Sequence, residues 1–140
     1  MKHLTLKAAL TCSTLVFASI SSAATLTHNL ENIQVNNGEI RIAVFNSAET
    51  FTKKASHVMG VASLKESVSV TFDNIPVGEY AVMLFQDANG NEDLDTNLLG
   101  IPNEPWGASL NGTRVFGAPK WADVKFEVPK DGTQITVSMN

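Results

Sequence analysis

Cysteine is almost missing from this 140-residue chain, and its single copy, Cys12, sits among the first dozen residues without the small-residue box of a lipoprotein signal. Basic side chains are few, 10 Lys and Arg against 14 Asp and Glu for a net charge of −4, and they form no run. The one sustained apolar stretch covers residues 8–20. Each shortage excludes something. A lone cysteine rules out a disulfide frame and cysteine-held zinc. An acidic chain without basic clusters is a poor partner for nucleic acid. The apolar stretch is too short, and too rich in Ser, Thr and Ala, for a membrane span, but it suits a signal peptide. Lys2, His3 and Lys7 precede it, and Ser21-Ser22-Ala23-Ala24 follows with small residues fit for cleavage after Ala23 or Ala24. The expectation is an exported protein, periplasmic or secreted, with residues 1–23 as a cleaved signal peptide and residues 24–140 as one domain. Cleavage removes Lys2, Lys7 and Cys12 and leaves eight basic against fourteen acidic side chains, a net charge of −6. Roughly 115 residues suffice for one core without covalent staples.

What is present is period-two alternation, with helical periodicity nearly absent. Ile40, Ile42 and Val44 alternate with Glu39, Arg41 and Ala43 after the turn signal Asn36-Asn37-Gly38. Val68, Val70 and Phe72 alternate with Ser67, Ser69 and Thr71. Val124, Phe126 and Val128 lead through the turn Lys130-Asp131-Gly132 to Ile135, Val137 and Met139. Residues 80–85 are apolar on both faces, as in a central strand. Adding residues 26–35 and 58–64 gives six to seven strands. The economical fold is all-β, a single antiparallel Greek-key β-sandwich of immunoglobulin-like or transthyretin-like arrangement. Tyr80, the only tyrosine, follows Asn74-Ile75-Pro76-Val77-Gly78-Glu79 and reads either as the tyrosine of a Greek-key corner or as an ordinary strand residue. Both roles are structural.

Between Asp87 and Lys120 the strand signal stops, and Gly90, Gly100, Gly107, Gly112 and Gly117 mix with Pro102, Pro105 and Pro119. Loops of this length in compact domains are usually functional or ordered by something bound. Its first third places Asp87, Asn89, Asn91, Asp93 and Asp95 at alternate positions, the oxygen-rich spacing that a hard cation such as Ca²⁺ uses. Against an EF-hand loop the match fails twice: Glu92 stands where Gly belongs and Leu98 where the bidentate Glu belongs, which moves the search for a last ligand to Glu104. Carboxylates about 6 Å apart repel by roughly 0.7 kcal/mol per pair even in water, which a divalent cation would cancel. The alternative is a metal-free polar loop, since Asp, Asn and Gly cap their own backbone in turns.

Gly78-Glu79-Tyr80-Ala81-Val82, Asp87-Ala88-Asn89-Gly90-Asn91, Leu94-Asp95-Thr96-Asn97 and the run from Leu99 through Gly100, Pro102 and Glu104 to Pro105 together resemble the core signature of a bacterial exported family, domain of unknown function 2141. Phe116-Gly117-Ala118-Pro119 and Trp121-Ala122-Asp123-Val124-Lys125-Phe126 resemble its closing motif. The resemblance covers nearly the whole mature chain and implies no assigned reaction. It marks the acidic loop and the Glu104 segment as the family hallmark, with Gln86 where members often carry His.

A catalytic inventory is thin. His28 and His57 are the mature histidines, each read as a surface or strand-end residue, and Ser109 lacks nucleophile-elbow spacing. Asp95 and Glu104 as glycosidase carboxylates are the enzymatic alternative. The leading expectation is a non-catalytic accessory or binding protein, Ca²⁺-stabilised through the acidic loop, whose partner is an envelope or extracellular protein or a glycan. Trp106, between Pro105 and Gly107, is the candidate ligand platform; the opposing reading folds Trp106 and Trp121 inward over the sandwich end.

Overall fold

The alternating segments fold as strands in the computed structural model, which describes residues 22–113 and 117–140. The leader expectation falls on residues outside that description, except that Ala23 and Ala24 open the first strand. In chain order the strands are β1 (Ala23–Glu31), β2 (Glu39–Phe45), β3 (His57–Ala62), β4 (Val68–Pro76), β5 (Gly78–Asp87), β6 (Trp106–Ala108), β7 (Phe126–Val128) and β8 (Thr133–Ser138), with a one-turn helix α1 (Trp121–Val124). Described residues thus hold eight strands rather than six or seven, because β6 forms inside the long Gly/Pro loop, and Val124 ends a helix instead of opening a strand. No described helix is long and apolar enough to cross a membrane.

Two sheets face each other: one ordered β4-β1-β8, the other β3-β2-β5-β6 with β7 also on β5. β6 pairs with β5 at residues 83–85 and β7 at residues 78–80. All pairs are antiparallel except β1–β8, which runs parallel from Leu26↔Thr133 to Glu31↔Ser138 and corrects the wholly antiparallel expectation. The cause lies in the 130–132 turn, which carries the chain from one sheet to the other. Gly132 has φ 78, and a Cβ there would sit 2.5 Å from the Thr25 carbonyl oxygen, so only glycine fits this approach.

The inward faces make the core: Leu26 and Leu30 of β1, Ile40, Ile42 and Val44 of β2, Phe72 and Ile75 of β4, and Val82 and Leu84 of β5. Burying each such side chain contributes about 1.5–3 kcal/mol. Tyr80 anchors the β4–β5 corner; its ring joins the core and its hydroxyl donates to the Pro76 carbonyl at 2.7 Å. This bond back to upstream backbone is the contact that the corner reading of Tyr80 expects.

His28 is one exception to an apolar interior. It was expected at the surface or a strand end, yet alternation along β1 places it inward between Leu26 and Leu30, where it is fully buried. Its ring lies 5.4 Å from that of Phe72, and neither ring nitrogen has a hydrogen-bond partner. Burial lowers its pKa from 6.5 to about 4, because the cation cannot be hydrated there. The unfolded chain then binds the extra proton between those values, so stability is full above pH 6.5 and falls as pH drops toward 4. Urea unfolding of the wild type should lose about 3 kcal/mol over that interval. His28→Leu should lack this component, and parallel pH profiles for the two proteins would refute it. In the same assay Tyr80→Phe should cost about 1 kcal/mol at every pH.

Candidate functional site

Strand β5 builds the site because its two faces do different work. Tyr80, Val82, Leu84 and Gln86 point into the sandwich, whereas Ala81, Met83, Phe85 and Asp87 lie on the outer face of the five-stranded sheet. Gln86 is a buried tie. Its Nε2 donates to the carbonyls of Gln34 and Asn37 at 2.5 and 2.8 Å, and its Oε1 accepts the Gln34 N–H at 3.0 Å.

Asp87 ends the strand and is only 1% exposed. Its Oδ1 accepts the N–H groups of Gly90 (2.7 Å) and Asn91 (3.2 Å), and its Oδ2 accepts that of Glu92 (3.0 Å), with Arg41 Nε 3.6 Å away. A buried charge needs such donors. The loop winds around the carboxylate to supply them, with left-handed backbone at Gly90 (φ 75) and Glu92 (φ 68). Glu92 therefore makes the bend for which an EF-hand uses glycine, at a strain of roughly 1 kcal/mol. Glu104 closes the loop from the other side: Oε1 accepts Ala88 N–H at 2.9 Å and Oε2 accepts Asp95 N–H at 3.1 Å. Beyond it, residues 95–103 form a small hairpin, with the Asn103 N–H on the Asp95 carbonyl and a bridge between Thr96 and Pro102.

Of the predicted oxygen donors, the fold gathers Asn89, Asn91 and Asp95. The amide nitrogens of Asn89 and Asn91 lie 2.5 and 2.9 Å from the two Asp95 carboxylate oxygens, while their Oδ1 atoms accept the N–H groups of Asn91 and Asp93. Asp87 and Glu104 instead spend their oxygens on backbone, and Asp93 stands exposed on the rim. Among the described residues no three His, Cys, Asp or Glu side chains converge as a metal-holding group. Trp106 lies in β6, half-buried beside Met83, and packs against the cluster of Phe45, Phe51, Ala81, Ala108 and Val124.

Sequence spacing missed the neighbouring surface, which appears only in the strand register. Cross-strand rows on the outer face read Ala62-Glu39-Asp87, then Gly60-Arg41-Phe85-Trp106, then Val58-Ala43-Met83-Ala108. Small Gly60 and Ala43 between taller residues leave a groove of about 490 Å³, with Leu94 and Glu92 of the acidic loop as one bank and Val58 as the other. At its polar end Arg41 contacts Glu39 (3.2 Å) and Glu92 (2.9 Å) as well as facing Asp87. The signal that could have found it was β5 itself, apolar on both faces.

A scan against protein families matches residues 29–136 to one described as an uncharacterized protein conserved in bacteria, domain of unknown function 2141. The chain belongs to this family. The match runs from within β1 to within β8, so the family unit includes both sheets, the acidic loop and the groove. Neither curated proteins nor solved structures gave a match.

Asp87→Asn places an amide NH₂ where the carboxylate accepts N–H groups, so it should cost about 2 kcal/mol or more of stability. Hydrogen exchange should show Gly90, Asn91 and Glu92 opening faster while the β1 and β4 amides stay protected. Unchanged exchange at those three amides would show that the carboxylate does not hold the loop.

Proposed function

We propose that this family member is an exported, non-catalytic accessory module that binds an apolar ligand in the groove on its five-stranded sheet. The observation that carries the reading is the groove: outer faces of two-sheet sandwiches are ordinarily polar, whereas this one lines a groove with exposed Val58 and half-buried Met83, Phe85 and Leu94 around a floor of Ala43 and Gly60. The acidic loop is then the groove's wall, which explains why so many of its polar groups serve its own shape.

A Ca²⁺ ion stiffening that wall is part of the proposal. Asn89, Asn91 and Asp95 are the residues that would hold it, and their donor chemistry fits, because carboxamide and carboxylate oxygens are what Ca²⁺ takes. In each Asn the oxygen and nitrogen are interchangeable in shape. Turning both amides would direct oxygens at the cation beside Asp95, at the cost of the N–H bonds to Asn91 and Asp93. The left-handed bend at Glu92 supports the same reading, since it keeps the path of a cation loop without its glycine. Export rests on the basic start, the apolar stretch and the small residues 21–24 that run into β1.

The non-catalytic part is supported by what the candidate groups do. Ser109 Oγ accepts the Val82 N–H at 3.0 Å and donates to the Val124 carbonyl at 2.5 Å. His28 is sealed in the core. Ser56 Oγ, beside the His57 ring, gives its proton to the Val44 carbonyl at 2.9 Å.

Two measurements test the proposal. Ca²⁺ at ten times its Kd should add about 1.4 kcal/mol, a rise in Tm of about 5 °C, and Asp95→Ala should abolish the rise. A neutral naphthylamine dye should brighten in the wild-type groove and stay dark with Ala43→Phe, whose ring fills the floor. A dye signal equal in both proteins, or a melting point indifferent to Ca²⁺, would overturn the corresponding half.

A further inference from the structure

We infer that the free edge of β3 receives an extended segment of a partner protein, apolar in alternation and carrying a lysine or arginine, as an additional strand beside the groove. This names the groove's occupant and therefore rests on the groove reading. β3 stands at the end of its sheet with β2 on one side, and no described strand pairs with the other. In an antiparallel ladder alternate residues turn their N–H and C=O groups away from the neighbour, so this edge offers a row that another backbone can satisfy.

Edges of this kind are normally blunted by charge, proline, a bulge or shortness. Other described edges are blunted or partly covered: β4 carries Asp73 and Pro76 and turns left-handed at Asn74 (φ 58), β6 has three residues, and β8, uncharged and also at a sheet end, has its Ser138 N–H taken by Asn111 Oδ1. β3, reading His57-Val58-Met59-Gly60-Val61-Ala62, has neither Lys, Arg, acid nor proline. Val58 is 75% exposed on the outer face, directly on the groove bank. A strand laid beside it would set alternate apolar side chains along the open groove.

Charge selects the partner's sequence. Arg41 stands among Glu39, Asp87 and Glu92, which leaves two negative charges in excess at the groove's polar end. The Glu39 carboxylate folds over Gly60, where a Cβ would collide with it. A long basic side chain opposite Gly60 would meet the carboxylate that lies over that residue, so the basic residue fixes register and specificity. A second copy of this chain does not fit the same description. Its β3 brings no Lys or Arg.

The test uses acetyl-Val-Thr-Lys-Thr-Val-Thr-amide, whose Val and Lys side chains share one face, and the same peptide with Glu in place of Lys. Amide exchange by NMR follows the edge, and naphthylamine displacement follows the groove. The lysine peptide should slow exchange across β3 by about tenfold or more, displace the dye, and bind about tenfold more tightly than the glutamate peptide. Val58→Lys should abolish peptide binding while leaving the melting point unchanged, and Glu39→Gln should shrink the lysine preference to about threefold or less. Unprotected β3 amides, equal binding of the two peptides, or peptide binding retained in Val58→Lys would overturn the inference. So would β3 protection that needs no peptide and tracks a dimer in sedimentation. If the dye binds and Ala43→Phe blocks it while the peptide leaves β3 unprotected, strand addition fails and the groove reading stands.

Discussion

A single buried carboxylate organises one end of this molecule. Asp87 is the last residue of β5 and faces the sheet's outer side, next to Glu39 across the β2–β5 pairing. Removing an ion from water costs several kcal/mol unless donors replace the water. The nearest cation, Arg41, is 3.6 Å away and shared with two other acids. Backbone must therefore supply the solvation, and the N–H groups of Gly90, Asn91 and Glu92 do so. That demand determines the winding of the loop, including the left-handed bend at Glu92. It also sets the bend's consequence: Glu92 reaches Arg41, and Leu94 comes to rest over the sheet beside Met83. Glu104 applies the same chemistry from the far side, so two carboxylates and five backbone N–H groups hold the wall of the groove.

The outer face is covered unevenly for reasons visible in residue size. Toward the start of β5, Phe45 and Phe51 stack edge-on at 5.3 Å, and Phe51 meets Trp121 at 5.7 Å, so the 46–56 loop and α1 cap the sheet there. Toward its end, the acidic loop rises over Asp87. Between the two covers lie Ala43 and Gly60, which have too little side chain to fill the gap. A sandwich needs only one apolar face per sheet. The surplus apolar residues of β5 outer positions are covered at both ends of the strand by the molecule itself, and in the middle they line the groove, open among the described residues.

Much of the sandwich was legible because its signal is local. Ile40, Ile42 and Val44 name the inner face of β2 by alternation, and Tyr80 after a Pro and Gly turn names a corner. Partner choice was not legible, because a period of two tells which way a side chain points but not which strand lies beside it; hence the parallel β1–β8 pair was unforeseen. His28 defeated the reading for a different reason. Polarity argued for the surface, but its place between Leu26 and Leu30 put it on the buried face, and alternation prevailed over residue type. Val124 shows the limit at short range, where one helical turn and one strand present the same few residues.

The acidic loop was legible in composition and opaque in role. Spacing showed oxygens at alternate positions, and it could not show which hydrogen bond each oxygen accepts. Asp87 and Glu104 are the decisive cases, because turning either toward a cation would release backbone N–H groups that are otherwise sheltered by burial. Their cost of rearrangement exceeds that of Asn89 and Asn91, which are exposed and can recover lost hydrogen bonds from water. A cation held, as proposed, by Asn89, Asn91 and Asp95 would sit in the outer half of the loop and leave the backbone bonds of Asp87 and Glu104 in place. The two halves meet at Asp95, whose backbone N–H is held by Glu104 and whose carboxylate faces the two amides. A cation drawn to that carboxylate would pull on the same residue that Glu104 pins, tightening the 95–103 hairpin and the Leu94 bank beside it without touching the Asp87 staple.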